Sequence, residues 1–181
     1  RRVALAVENA RLHAREHQLA SALQRAMLPE QADVPGLDVW SYYSPNVEHA
    51  QVGGDWYDII GISDEVAGIV IGDVVGHDVE AAAVMGQLRS VVRAYSFELT
   101  APALVVERTD ELVRGLGLAR AASLVYGTLT RLGGTDPPVD DRRWRFDYSR
   151  AGHLPPILLR DGAATQLAQG AGALVGFGNR A

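Results

Sequence analysis

Two acidic blocks lie close together in this chain, Gly53-Gly54-Asp55-Trp56-Tyr57-Asp58 and Gly72-Asp73-Val74-Val75-Gly76-His77-Asp78. Each sets a carboxylate beside glycine at the edge of an apolar run. The stretches between them, Ile59-Ile60-Gly61-Ile62 and Val66-Ala67-Gly68-Ile69-Val70-Ile71, read as two strands turning at Ser63-Asp64-Glu65. A hairpin brings its outer ends together, so Asp55 and Asp73 are predicted to sit side by side at one end of a sheet. Two adjacent carboxylates repel unless a cation lies between them, which makes this pair a candidate metal site.

The remaining composition narrows the chemistry. A chain of 181 residues with 48% hydrophobic content can bury one substantial core. The net charge is −5 and no basic stripe is present, which argues against nucleic acid as a partner. Cysteine is absent, so disulfides and thiolate metal sites are excluded and hard oxygen ligands remain. No apolar run approaches the roughly 20 residues that cross a bilayer, and no signal peptide is visible. The expectation is a cytoplasmic protein without a membrane partner. Both ends, Arg1-Arg2-Val3 and Asn179-Arg180-Ala181, read as cut from something longer.

Two regions are expected, a leading helix over 1–29 and a globular domain over 30–181. Arg1 to Leu28 has no Gly or Pro and is rich in helix formers, with Leu5, Leu12 and Leu19 at heptad spacing. This segment is either one flank of a coiled coil, giving a homodimer, or an amphipathic helix packed on its own domain. Pro29 ends it. Leu37 to Ser44 reads as a strand, followed by the acidic hairpin. Asp78 is a candidate N-cap for a helix from Val79 to about Leu99. A second helix is expected from Pro102, behind Thr100 as cap, to Gly115 or Gly117. Strands are predicted at Ser123 to Leu132, Trp144 to Arg150 and Pro156 to Arg160, with a tight turn at Arg160-Asp161-Gly162-Ala163. Strands, two consecutive helices, then strands again indicate an α+β fold with an antiparallel sheet.

A Gly-Asp pair at a strand end can equally be a turn former or a helix cap. Repetition at hairpin-compatible spacing favours metal binding over turn chemistry. Asp58 is expected to point elsewhere or only to orient the site. His77 can ligate, act as an acid or simply contact a glycine-bounded turn, and the last reading is preferred. Ala151-Gly152-His153-Leu154-Pro155-Pro156 reads on composition as a connection. No nucleophile arrangement built on Ser-His-Asp or Cys stands out, and no glycine loop resembles a nucleotide cradle.

In combination and in this order, the blocks resemble those of the bacterial PPM-type (PP2C-like) serine/threonine phosphatases of the SpoIIE/RsbU group. The resemblance runs from Leu23-Gln24-Arg25-Ala26-Met27-Leu28-Pro29 to the C-terminus. It includes both acidic blocks, Ala81-Ala82-Ala83-Val84-Met85 and Ala151-Gly152-His153. It implies a PP2C-like sandwich of antiparallel sheets flanked by helices. It also implies a pair of Mn²⁺ or Mg²⁺ ions bound by Asp55, Asp73 and the backbone carbonyl of Val74. Such ions activate a bridging water and neutralise phosphate charge, so no covalent nucleophile is needed. The implied substrate is a phosphoserine or phosphothreonine protein, an anti-sigma-factor antagonist of STAS type. The leading helix resembles the linker to an upstream GAF or PAS sensor domain. Two departures accompany the likeness. Arg150 stands where the family usually has Asn. The family's later Thr-Asp-Gly block and final Asp-bearing helix lie beyond Ala181, so an empty or singly occupied metal site, with little or no phosphatase activity, is expected in these residues alone. The rival reading is a catalytically inactive, phosphatase-like regulatory or dimerisation module; a small-ligand sensor domain would leave the acidic blocks without a purpose.

Overall fold

The computed structural model describes residues 33–43, 53–118, 120–133 and 143–177, with 7–8, 11–12 and 14–15 of the leading segment. Alternation decides which way the acidic hairpin faces. In β1 (Asp55–Ser63) the buried positions Trp56, Asp58 and Ile60 share one face, and in β2 (Val66–Val74) Val70 and Val74 share it with them. The strands pair antiparallel, with Trp56 opposite Gly72 and Asp58 opposite Val70.

Two helices follow and cover that face. Helix α1 (Val79–Glu98) begins at Asp78, whose Oδ1 accepts from the Ala81 amide at 2.8 Å. Helix α2 (Pro102–Leu116) ends at Gly117 in the left-handed conformation. The chain then returns through β3 (Ala122–Leu132) and β4 (Arg143–Ala151). The hairpin of β5 (Ile157–Arg160) and β6 (Ala163–Gln166) comes next, and last the two-residue β7 (Ala171–Gly172). The main sheet has the order β1-β2-β3-β4-β7, antiparallel as far as β4. Strands β5 and β6 form a second, two-stranded sheet whose residues are all exposed. Its turn is tight because Asp161 and Gly162 both take positive φ, 51° and 78°.

The principal core lies between sheet and helices. Trp56, Val70, Val74, Leu124 and Tyr126 from the strands meet Met85, Leu88 and Val92 of α1 and Val105 and Val113 of α2. A smaller cluster on the other face gathers Val34, Ile59 and Ala67, with Leu37, Val39, Leu129 and Trp144 against it. The α+β architecture expected from the sequence, with paired helices on a sheet, is the one observed.

Four expectations need correction or fall outside the description. Leu37 to Tyr43 is irregular rather than a strand: Leu37 and Val39 pack on the smaller cluster while Trp40 and Tyr42 stand in solvent. The alternation read as a strand is real, and it reflects burial of one side on that cluster. Thr100 is not the cap of α2; Ala101 holds that position without a side-chain bond, and Pro102 at the helix start supplies the pre-set φ. The sheet is not wholly antiparallel, because β7 pairs parallel with β4 through Arg150–Ala171 and Ala151–Gly172. Most of the leading helix, Arg1 to Leu28, lies outside the described residues. Residues 7–8, 11–12 and 14–15 are helical, and Leu12 is exposed.

Candidate functional site

The hairpin places Asp55 and Asp73 as direct cross-strand partners at its open end, as expected from the sequence. Both lie on the sheet face away from the helices, since Trp56 and Gly72, their chain neighbours, pack into the core. Asp73 is raised from the ordinary carboxylate value to about 6. Burial is the main cause, followed by the charge of Asp55 and a hydrogen bond between the two carboxyls.

The backbone around the pair is tightly fitted. A Cβ at Gly72 would run into the Trp56 ring, and a Cβ at Gly54 would collide with the carbonyl oxygen of Val74. The Val74 side chain is buried in the core, and its amide donates to the Gly54 carbonyl at 3.1 Å. Thus the first acidic block closes directly over the end of the second.

A cavity of about 960 Å³ opens over the pair, with Trp40, Tyr42, Tyr57, His77 and His153 among its walls. Trp40 and Tyr42 stack with ring centroids 6.0 Å apart, and Ser41 Oγ donates to the Tyr57 hydroxyl at 3.2 Å. Among the described lining residues none is Lys or Arg. His77 reaches the wall from the turn before α1.

Asp58 and Asp78 have other duties. Asp58 is fully buried and binds Arg93 of α1 at 3.1 and 3.2 Å and Arg89 at 3.4 Å. Asp78 caps α1, and its carboxyl is held below the usual value first by the Ala81 amide and also by Arg120. The expectation that Asp58 points elsewhere is borne out.

Sequence reasoning treated Ala151-Gly152-His153 on composition as a connection, and the structure brings it to the acidic pair. Ser123 of β3 is the ladder partner of Asp73. Its Oγ lies 2.7 Å from Nδ1 of His153. Burial holds the His153 imidazole below its ordinary value, outweighing the upward pull of Asp55, and Arg150 adds to the fall. Arg150 is a clamp. Its guanidinium donates to the carbonyls of His153 at 2.8 Å and Gln169 at 3.1 Å, and to that of Ala168. The signal for this convergence is the strand order β2-β3-β4, which no local pattern contains.

Two hard carboxylates, the Val74 carbonyl at the same strand end and the lack of Lys or Arg among the described lining residues suit a hard divalent ion. Among the described residues, no three His, Asp or Glu side chains form one metal-holding cluster.

Comparison with known proteins places the chain in a family. The family described as Stage II sporulation protein E (SpoIIE) matches residues 63–181. The chain belongs to the SpoIIE family. It is 30% identical over 152 residues to the phosphoserine phosphatase RsbP of Bacillus subtilis, covering 84% of this chain and 36% of that protein. It is 37% identical over 76 residues to protein IcfG of Synechocystis, covering 42% and 12%. Among solved structures, it resembles the RsbU and RsbW domains of Rv1364c from Mycobacterium tuberculosis. That likeness has a TM-score of 0.58 and 31% identity, over 70% of this chain and 33% of the other. The chain thus spans about a third of the length of RsbP and of the mycobacterial structure.

Proposed function

We propose that this SpoIIE-family domain is a metal-dependent phosphatase acting on phosphoserine or phosphothreonine in a protein. The observation that carries the reading is the Asp55–Asp73 cross-strand pair at the floor of a cavity lined, among the described residues, by no Lys or Arg. A phosphoester dianion is repelled by two carboxylates, so a phosphate-processing role for this cavity requires a cation between them. Asp55, Asp73 and the Val74 carbonyl are the groups that would hold Mn²⁺ or Mg²⁺. Such ions supply charge neutralisation and an activated water. The chain's own part is to fix the two carboxylates by the ladder, to flank them with Trp40, Tyr42 and Tyr57, and to present His153. The likeness to RsbP supports a phosphoserine protein as substrate. We take that protein to be an anti-sigma-factor antagonist of STAS type in a cytoplasmic bacterial pathway. The segment before the domain would join it to an upstream sensor and to a second copy. No described helix is long and apolar enough to cross a membrane.

Mn²⁺-dependent hydrolysis of p-nitrophenyl phosphate and of a phosphoserine peptide is the test. Activity in the wild type and its loss in Asp73→Asn are expected. The second reading, an inactive regulatory module, draws on the finding that only two carboxylates converge among the described residues. It is the outcome if the full-length protein binds Mn²⁺ but hydrolyses neither compound.

A further inference from the structure

We propose that His153 is a substrate-contacting residue. Its Nε2–H donates a hydrogen bond to a phosphoryl oxygen of the substrate held beside Asp55 and Asp73, while Nδ1 is engaged by Ser123. This rests on the phosphatase reading above and assigns a group to it that the acidic blocks do not contain.

The ring is fixed from several sides. Gly152 takes φ 63°, which a side chain would resist, and a Cβ there would run into Leu174. Its amide donates to the Gly172 carbonyl at 2.9 Å, so β7 locks the turn. The Arg150 guanidinium donates to the His153 carbonyl at 2.8 Å. Ser123 Oγ then meets Nδ1 at 2.7 Å. Three independent anchors for one imidazole are more than a connecting loop needs. They leave Nε2, which no described residue takes up, as the ring's available polar atom.

Electrostatics chooses the tautomer. A neutral imidazole has one donor nitrogen and one acceptor. If the Ser123 hydroxyl donates to Nδ1, the proton sits on Nε2. The reverse arrangement would present a ring lone pair to a cavity that also holds Asp55 and Asp73. With cations on those carboxylates, the anionic phosphoryl oxygen is what repels a lone pair and attracts an N–H, so the Nε2–H form is selected in the substrate complex. An anionic substrate in this cavity meets no described Lys or Arg, so neutral donors must serve it, and the His153 N–H is one that the fold holds in place.

Ring-nitrogen NMR of the full-length protein with Mg²⁺ tests the geometry without turnover. The Nε2–H tautomer is expected, with Nε2 moving on addition of inorganic phosphate. Ser123→Ala, which frees Nδ1, should loosen the ring and weaken the phosphate-induced shift of Nε2. In parallel, His153→Ala should lower kcat/KM for a phosphoserine peptide by about tenfold to a hundredfold. His153→Gln, which keeps an N–H, should recover part of that loss, and calorimetric Mn²⁺ affinity should stay at the wild-type value. A phosphate titration that leaves Nε2 unmoved overturns the contact. So does a loss in His153→Ala that weaker Mn²⁺ binding fully explains. Wild-type turnover with an unaffected His153→Ala overturns the role of His153 and leaves the phosphatase reading standing. A wild type inert on the peptide overturns the phosphatase reading, and this proposal with it.

Discussion

At Asp73, burial and the facing Asp55 carboxylate act in the same direction, lifting the carboxyl to about 6. The folded state then holds this proton more tightly than the unfolded chain does. The stabilisation is present below pH about 4 and is lost as pH rises through about 6. Without metal, the melting temperature is expected to fall over that window. Asp73→Asn should flatten the fall and raise the pH 7 melting temperature by about 2–4 °C, with no difference below pH about 4. A scan showing equal or lower pH 7 stability in the variant would contradict the repulsion argument. Gly72 makes a different residue-scale demand, because the Trp56 ring occupies the place of its Cβ. Gly72→Ala should cost about 1–3 kcal/mol in urea unfolding by overpacking; an unchanged midpoint would show that the ring can move aside.

Among the elements, α1 bears most directly on the acidic strand. Its apolar face meets the sheet through Val84, Met85, Leu88 and Val92, and its arginines reach Asp58 on β1. Leu88 is fully buried, and Leu88→Ala should cost about 2–5 kcal/mol by opening a cavity. Asp58→Asn leaves Arg89 and Arg93 with their side chains 21% and 40% exposed, so water can take over part of their solvation. The expected loss is accordingly near the low end for a broken ion pair, about 1–3 kcal/mol in urea unfolding. The helix itself was readable from its period and from Asp78, because caps and amphipathic spacing are local. The Asp58 contact was not, because it joins residues 31 and 35 apart in sequence.

At the scale of the whole molecule, charge balance sets the metal content and the leading segment sets association. Two carboxylates cannot balance two dications, so calorimetry on residues 1–181 is expected to find one weakly held Mn²⁺, lost in the Asp55→Asn/Asp73→Asn double variant. Tight binding of two ions would show that further ligands come from residues not among those described. The heptad leucines of the leading segment predict a second copy as partner. Leu12, helical and exposed, is the position to probe. Leu12→Asp should shift sedimentation toward the monomer without changing unfolding of the domain. A wild type already monomeric at micromolar concentration would rule out that dimer.

The sequence alone determined the hairpin and the meeting of Asp55 with Asp73, because a two-strand register is set by alternation and turn length within one short stretch. It also determined the paired helices, whose period, proline and glycine signals act over a few residues. It misjudged the described part of that strand, Leu37 to Tyr43, where the alternation reflects packing on the smaller cluster and the backbone is irregular. Tertiary structure decided what stands beside the acidic pair. Ser123 and His153 are 30 residues apart in sequence, and Arg150 clamps a turn to carbonyls 18 and 19 residues further on. Their convergence depends on β3 lying between β2 and β4, a pairing won by burial of the whole sheet against α1 and α2 rather than by any local preference.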